Sequence, residues 1–284
     1  MKPLTFRTRF APSPTGPLHL GHAYSALIAF RQAQAKKGAF LLRIEDIDQS
    51  RSRPHWEEQI YDDLQWLGIK WQRPVMRQSD RASAYKSALN QLTDMGLTYP
   101  CTCSRADIQA AASAPQEGVP QFGPDGRIYP GTCREKTFDL QDAAPVVRLN
   151  MHKALQRISP PEFDEFGPLY RGTHQLDPDH LQSHVGDIIL VRRGMASSYH
   201  LSVVVDDAAQ HISQVTRGAD LWEATQIHVV LQTLLGLPIP RFYHHDLIRD
   251  AAGKRLAKRD DARAIATYRD AGAAPQDILN LIGL

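Results

Sequence analysis

The beginning of the chain alternates between secondary-structure types in an order that predicts a parallel sheet. Residues 5–10 predict a short strand, and residues 11–17, with their prolines and glycine, predict a loop. Apolar residues then recur every three or four positions from His19 to the Lys36-Lys-Gly38 end, as in an amphipathic helix. Residues 39–44 are apolar apart from Arg43 and suit a strand buried on both faces. Strand, glycine-containing loop, helix and strand form a βαβ unit, so we expect an α/β fold.

The rest of the chain shows helix and strand patterns around one irregular stretch. Between about Cys101 and Gly131 the sequence is rich in Ala, Pro, Gly and Gln and is bracketed by cysteines, so we expect an insertion held at its base. The elements expected elsewhere are helices at residues 54–67 and 79–95, strands at 146–149, 187–192 and 199–205, and a long helix at 220–235.

Composition bounds the class of protein without fixing its function. The chain has 284 residues, 42% of them hydrophobic, and can bury a substantial core. No stretch reaches the roughly 18 consecutive apolar residues that span a bilayer, so we expect no membrane association and a cytoplasmic location. The 33 lysines and arginines nearly balance the 31 acidic residues, so overall charge neither indicates nor excludes RNA binding. Three cysteines cannot all pair within one chain, which favours a reduced compartment.

Two histidines stand three residues apart where the first loop turns into the first helix. His19 and His22 flank Gly21 at a helix N-terminus, where unpaired N–H groups and a partial positive charge attract anions. The arrangement suits a bound triphosphate with both imidazoles reaching toward it. The alternative, one capping histidine and one at the edge of the core, is disfavoured by the Pro-Ser-Pro-Thr-Gly run that precedes them.

A second basic feature lies near the C-terminus, in Gly253-Lys-Arg-Leu-Ala-Lys-Arg259. A glycine-led basic loop can close over a polyphosphate and stabilise the charge that develops on leaving pyrophosphate. By itself the cluster is also typical of a solvated loop or helix face.

Four polar residues are attached to apolar segments that we expect to be buried: Arg9, Glu45, Tyr199 and Arg217. We expect them to converge at the carboxyl ends of a parallel sheet, where open α/β folds bind ligands. A ligand with two carboxylates and one ammonium would satisfy them, since arginines bind carboxylates and Glu45 can accept from the ammonium. The alternative is that these residues only form structural ion pairs.

The cysteines are spaced as metal ligands. Cys101 and Cys103 form a tight pair, and Cys133 follows in the same loop-rich insert. Three thiolates supply most of a tetrahedral zinc site. Because no histidine lies between Cys103 and Cys133, the fourth ligand must be an oxygen group, a water or a remote residue, and Tyr129 is the nearest candidate. Three free cysteines without a metal remain the alternative.

Taken together, these motifs resemble the glutamyl-tRNA synthetases, a family of class I aminoacyl-tRNA synthetases. The first signature of that family is similar to Arg9-Phe-Ala-Pro-Ser-Pro-Thr-Gly-Pro-Leu-His-Leu-Gly-His22, and the second to Leu42-Arg-Ile-Glu-Asp-Ile-Asp48. Residues 199–207 and 215–221 resemble the family's glutamate pocket. Residues 255–259 resemble its Lys-Met-Ser-Lys-Ser loop, so the resemblance covers nearly the whole chain.

The chain also departs from the family pattern. Arg255 and Ala257 replace the first lysine and the serine of the loop motif, which leaves Lys258 as the matching lysine, and His200 stands where an asparagine is usual. The chain ends at Leu284, soon after this loop, which is too early for the anticodon-binding domain that full glutamyl-tRNA synthetases append. This length, with the cysteine-bounded insert, resembles a truncated branch of the family that modifies queuosine in tRNA(Asp).

The resemblance implies a Rossmann-like parallel sheet of the class I synthetase type, with an inserted zinc-binding subdomain, a C-terminal helical segment and no anticodon-binding domain. The expected division is residues 1–100 and 187–243 as the halves of the catalytic domain, 101–186 as the insert, and 244–284 as the basic loop and C-terminal helices.

It also implies a two-step reaction. Glutamate is activated with ATP without tRNA, and the glutamyl group passes to queuosine in the anticodon of tRNA(Asp). The family's roles, carried onto this sequence, make His19, His22 and Lys258 catalytic, and the ATP-binding residues are His19, Gly21, His22 and Lys258. Glutamate would be held by Arg9, Ala11, Ser13, Glu45, Tyr199 and Arg217. One structural Zn²⁺ would be held by Cys101, Cys103, Tyr129 and Cys133. Mg²⁺ would accompany ATP, and no obligate protein partner is expected.

Two other functions stay open at this point. One is a truncated glutamyl-tRNA synthetase that charges the 3′ end of tRNA(Glu). The other is a non-catalytic RNA-binding zinc module, which the residues at positions 255 and 257 would permit.

Overall fold

Strands and helices alternate along most of the chain. The computed structural model describes residues 5–112, 122–124, 126–136, 146–248 and 263–284. The strands are β1 (Arg7–Phe10), β2 (Ala39–Ile44), β3 (Gln72–Arg77), β4 (Thr98–Cys101), β5 (Phe122–Gly123), β6 (Gly126–Arg127), β7 (Val146–Leu149), β8 (Glu162–Glu165), β9 (Gly172–Gln175), β10 (Ile189–Val191), β11 (Gln214–Gly218) and β12 (Arg241–His245). The α-helices are α1 (Leu20–Ala35), α2 (Pro54–Trp66), α3 (Ala82–Asp94), α4 (Arg105–Ala112), α5 (Met151–Gln156), α6 (Pro178–His180), α7 (Tyr199–Ala209), α8 (Trp222–Leu234), α9 (Ile265–Asp270) and α10 (Pro275–Leu281).

Two groups of parallel strands lie edge to edge in the centre of the fold. One has the order β1-β2-β3, and the other has the order β11-β12-β8, extended by the antiparallel strand β9. The N–H of Ser213 donates to the carbonyl of Arg7 at 3.0 Å and joins β11 to β1. Successive strands therefore lead away from β1 on one side and from β11 on the other. In open α/β sheets such a reversal leaves a crevice at the carboxyl ends of the strands.

The first βαβ unit forms as its sequence predicts. The expected strand over residues 39–44 is β2, and α1 begins at Leu20, directly after His19. The expected helix over residues 54–67 is α2, with Pro54 at its first turn, where a missing N–H costs no hydrogen bond.

The cysteine-bounded region joins the body through a small antiparallel sheet of order β10-β7-β4. The expected strand over 146–149 is β7, and the expected strand over 187–192 contains β10. Arg134 follows Cys133 and donates from Nε to Asp187 Oδ2 at 2.6 Å, which fastens the cysteine loop to the start of β10.

Two main apolar clusters hold the body together. The larger lies around α3, α5, α7 and α8 and includes Leu201, Val204 and Ile227. The other packs α1 and α2 on β1 and β2, and Ile265 and Ile278 anchor the C-terminal helices α9 and α10 on it.

The strand predicted over residues 199–205 is wrong, because this segment is the first part of helix α7. Ser198 caps the helix by accepting from the N–H of Leu201, and most of its residues are buried. A helix buried on most faces shows no amphipathic period, so its apolar run resembles a strand. Arg217, expected just before the long helix, lies on β11, a strand that the sequence patterns did not predict.

No helix in the described ranges is long and apolar enough to cross a membrane.

Candidate active site

A cavity of about 380 Å³ opens at the carboxyl ends of β1, β2, β11 and β12. Its lining includes most of the residues predicted to bind ATP and glutamate: Arg9, Ala11, His19, Gly21, His22, Glu45, Tyr199 and Arg217. Thr216, Gly218, Asp220 and His245 line it as well. Residues distant in sequence therefore meet where the strand order reverses.

The two histidines cap α1 reciprocally. His19 Nδ1 accepts from the N–H of Gly21 at 3.1 Å, and His22 Nδ1 accepts from the N–H of His19 at 3.1 Å. The ring centroids lie 3.8 Å apart. Because each Nδ1 accepts from the backbone, each neutral ring carries its proton on Nε2. The same pair thus organises the helix N-terminus, and both rings line the cavity.

Beneath the cavity, one carboxylate compensates two buried arginines. Arg9 donates from Nε and Nη2 to Asp207 Oδ1 and Oδ2 at 2.9 and 3.1 Å. Arg43 donates from Nη1 to Asp207 Oδ1 at 2.6 Å and from Nη2 to Glu45 Oε1 at 3.1 Å. The structure therefore brings Arg9 and Glu45 to the cavity and also places both in ion pairs, the arrangement that the sequence left open as the alternative.

These charges alter the pKa values of the carboxyl groups. Burial alone would raise the pKa of Asp207, but Arg9 and Arg43 together hold it at about 2. Burial raises the pKa of Glu45, and the attraction of Arg43 opposes this only in part. Asp207 therefore stays ionised. A further cationic partner would stabilise the ionised form of Glu45.

Arg217 lies deeper and has different neighbours. Its Nε donates to His244 Nε2 at 3.0 Å, its Nη1 lies 3.0 Å from His228 Nδ1, and its Nη2 donates to Thr225 Oγ1 at 2.9 Å. The residue is 6% exposed. In the described part of the chain, no carboxylate forms an ion pair with it. Burial lowers the pKa of Arg217, and the guanidinium is a charge that a carboxylate ligand would compensate.

A second cavity, of about 1080 Å³, adjoins the first and shares Ala11, His22, Glu45 and Tyr199 with it. The predicted glutamate ligand Ser13 lines this larger cavity and not the smaller one. Four arginines also line it: Arg51, Arg105, Arg192 and Arg193. Glu45 and Asp48 are the acidic residues among its lining, so basic side chains are in excess, as a bound polyanion requires.

The three cysteines converge in the insert. Their sulfur atoms all lie within 4.8 Å of one another, and Tyr129 Oη lies 3.4 Å from Cys101 Sγ and 3.5 Å from Cys103 Sγ. Cys103 Sγ and Cys133 Sγ are 3.4 Å apart. Around a tetrahedral zinc with Zn–S bonds near 2.3 Å, ligand atoms lie about 3.8 Å apart. The four side chains therefore fit the donor set and spacing of a closed zinc site.

Other site predictions have different outcomes. The basic loop at residues 253–259, with Lys258, lies outside the described residues. Asp207 lies in a segment that resembles the family's glutamate pocket, but no role was predicted for it, and His228 and His244 were not predicted as parts of the site. Arg43 was noted only as an interruption of an apolar strand and within the second signature. The signal for Arg43 was available, because a lone arginine in a strand buried on both faces requires an anionic partner.

Comparison with known proteins identifies the family. Residues 5–284 match the family described as tRNA synthetases class I (E and Q), catalytic domain. A protein of Rhodobacter capsulatus named Glutamyl-Q tRNA(Asp) synthetase is 59% identical over 280 residues, which is 98% of this chain and 99% of the relative. A protein of the same name from Nocardia farcinica is 42% identical and matches 96% of this chain and 82% of the relative.

Solved structures agree on the fold. A glutamate tRNA ligase from Elizabethkingia meningosepticum, crystallised in complex with its amino acid, superposes with a TM-score of 0.72 at 25% identity, over 99% of this chain and 60% of that one. The glutamate-tRNA synthetase of Elizabethkingia anophelis gives a TM-score of 0.74 at 24% identity over 99% and 61%. The chain spans about three fifths of the length of these two solved structures. It belongs to the class I tRNA synthetases for E and Q, and residues 5–284 correspond to their catalytic domain.

Proposed function

We propose that the protein activates glutamate with ATP in the absence of tRNA and transfers the glutamyl group to queuosine in the anticodon of tRNA(Asp). The observation that carries the proposal is the extensive match to the Rhodobacter capsulatus relative, whose name states this substrate. The site supplies the chemistry that such a reaction needs.

In the first step, an α-carboxylate oxygen of glutamate attacks the α-phosphorus of ATP. A new P–O bond forms, the bond to the β,γ-phosphates breaks, and pyrophosphate leaves. Mg²⁺, when bound to the nucleotide, would neutralise part of the phosphate charge. Negative charge builds on the α-phosphate oxygens, and the Nε2–H groups of His19 and His22 are the donors that stabilise it. Lys258 is assigned to the departing pyrophosphate.

Glutamate binding is supported by the charges that line the smaller cavity. The two carboxylates of glutamate face arginines, and its ammonium faces Glu45, whose pKa is raised by burial. Arg9 keeps its place through Asp207, and Tyr199 lies between the two cavities. Ala11 shapes the wall, and Ser13 reaches the substrate from the side of the larger cavity.

In the second step, a hydroxyl of the queuosine cyclopentenediol attacks the glutamyl carbonyl, an ester bond forms, and AMP leaves. The larger cavity is the entry for this nucleoside, because it opens directly onto Glu45 and Tyr199. Arg105, Arg192 and Arg193 are suited to hold the flanking phosphates of the anticodon arm.

Zn²⁺ is assigned to Cys101, Cys103, Tyr129 and Cys133. A site filled by four protein ligands has no open position for catalysis, so the metal braces the insert. Thiolate ligands that must remain reduced agree with a cytoplasmic location.

Pyrophosphate exchange tests the first step and separates this function from a non-catalytic RNA-binding module. With ATP, labelled pyrophosphate and no tRNA, we expect label to enter ATP only when glutamate is present. Absence of exchange at saturating substrates would favour the binding module. The remaining rival function is charging of tRNA(Glu), which a second assay with labelled glutamate and that tRNA tests. We expect no label on the 3′ end of tRNA(Glu).

A further inference from the structure

Arg217 is held by uncharged acceptors, which distinguishes it from the other two buried arginines of the site. Arg9 and Arg43 each donate to the carboxylate of Asp207. Arg217 instead donates to two imidazole rings and a threonine hydroxyl, and the hydroxyl of Tyr199 lies beside it. The charge of Arg217 is therefore not neutralised by an ion pair within the described residues.

The hydrogen bonds fix the tautomer of both rings. Arginine can only donate, so His244 Nε2 and His228 Nδ1 must both be unprotonated. His244 then carries its proton on Nδ1 and donates to Glu165 Oε2 at 2.7 Å. His228 carries its proton on Nε2, which lies 3.1 Å from His200 Nδ1. The two rings are therefore held in opposite tautomers around one guanidinium.

Burial keeps both rings neutral. His228 is 3% exposed and His244 is fully buried. Burial lowers the pKa of His228 well below its usual value and also lowers that of His244, and the adjacent Arg217 acts in the same direction on both. Glu165 opposes this shift for His244.

The charge of Arg217 consequently remains available to a ligand. Within the described ranges, the hydrogen bonds of His244 link Arg217 to the carboxylate of Glu165, one imidazole ring away, and Asp207 attracts Arg217 without forming an ion pair with it. Glu165 Oε1 also accepts from the N–H groups of Gly167 and His244 at 2.6 and 2.9 Å. Glu165 therefore orients His244 without forming an ion pair with Arg217.

We propose that His228 and His244 are positioning residues that aim Arg217 at the side-chain carboxylate of the substrate and, by staying neutral, make the pocket prefer glutamate over its amide, glutamine. The proposal rests on glutamate activation as the function of the site. The reacting α-carboxylate must reach the α-phosphate, which lies beside His19 and His22, so the side-chain carboxylate is the one left for Arg217. A neutral amide would leave the buried guanidinium without a counter-charge and would offer it one acceptor oxygen in place of two.

Substitution at position 228 separates charge from shape. H228N keeps an acceptor near the place of Nδ1, whereas H228D has the same size and puts a carboxylate there. We expect H228N to change the KM for glutamate by no more than about threefold, because the neutral acceptor is kept. We expect H228D to raise that KM by about 100-fold, to narrow the preference for glutamate over glutamine, and to leave the KM for ATP unchanged.

A second pair makes the test independent of the folding of H228D. H244Q keeps an acceptor near Nε2, and H244M removes it. H244Q should retain the glutamate KM to within about threefold and H244M should raise it about tenfold. Equal glutamate KM values for H228D and H228N would overturn the proposal. If H228D does not fold, as judged by thermal unfolding, equal values for H244Q and H244M would do so.

Direct binding of glutamate, measured by calorimetry, distinguishes this inference from the proposed function. A wild-type protein that binds glutamate but supports no exchange would contradict the function alone. Binding and exchange that are both indifferent to the charge at position 228 would contradict the role of the histidines alone.

Discussion

Arg9 and Asp207 form a two-point ion pair, with 2.9 Å between Nε and Oδ1 and 3.1 Å between Nη2 and Oδ2. Oδ1 also accepts from Arg43 Nη1 at 2.6 Å. One carboxylate on α7 thereby joins β1 to β2 directly beneath the cavity. The position of the substrate-facing side chains depends on this shared anion.

The D207N substitution tests that dependence. An amide of the same size leaves two buried guanidinium groups without a full counter-charge, so we expect a loss of about 3 kcal/mol in the free energy of unfolding. Urea denaturation measures it. D48N is the matched control, because Asp48 pairs with Arg51, whose side chain is 73% exposed, and the expected loss is below about 0.5 kcal/mol. Equal losses in the two variants would contradict the role given to Asp207.

The two histidines of α1 should be separable into capping and catalytic functions. In H19N and H22N, an amide oxygen can replace Nδ1 as the backbone acceptor, but no group replaces Nε2–H. We therefore expect unchanged thermal unfolding and an exchange rate lower by about 100-fold. H211N is the control, since His211 is exposed with a φ of 52° that asparagine tolerates. Normal exchange in H19N and H22N would remove both side chains from the proposed mechanism.

The local parts of this fold could be predicted from sequence, whereas the long-range parts could not. Residues 39–44 and 146–149 were predicted correctly as strands, because short runs with clear boundaries carry their own signal. Residues 199–205 were not, since burial on most faces hides the helical period. The pairing of Arg9 with a carboxylate 198 positions away has no local signature. For the same reason the histidines around Arg217 were missed, as both stand in segments that look like ordinary core.

Zinc binding should depend on the thiolates of the insert. We expect one zinc per chain in the wild-type protein and almost none in C133A, because only two thiolates then remain to hold the ion, whereas loss of the tyrosine leaves all three. Y129F should keep the zinc but release it to a chelator more readily. S104A, which changes an exposed residue between the ligands, is the control. Elemental analysis of the purified variants measures this, and a zinc-free wild type after growth with added zinc would contradict the assignment.

Asp63 should make stability fall as the pH rises. Its carboxyl is buried under α9, with Oδ1 3.2 Å from Arg269 Nη1 and Oδ2 without a hydrogen-bond partner among the described residues. Burial raises its pKa to about 6, although Arg269 opposes the shift. The folded state therefore binds this proton more tightly than the unfolded chain. The contribution of Asp63 to the free energy of unfolding is largest below its pKa in the unfolded chain, near 4, and is lost as the pH rises through 6.

D63N removes this titration. The free energy of unfolding of D63N minus that of the wild type should increase by about 1 to 2 kcal/mol between pH 4 and pH 7 and then level off. Urea titrations at several pH values measure the difference. A difference that stays constant with pH would show that the folded and unfolded pKa values of Asp63 are equal.

The position of the transferred label tests the central claim most directly. The protein is incubated with ATP, labelled glutamate and tRNA(Asp) that either carries or lacks queuosine, each with an intact and with a shortened 3′ end. We predict label on both queuosine-containing forms, recovered in the anticodon-arm fragment after nuclease digestion, and none on the forms without queuosine. Label that requires the intact 3′ end and ignores queuosine would contradict the account.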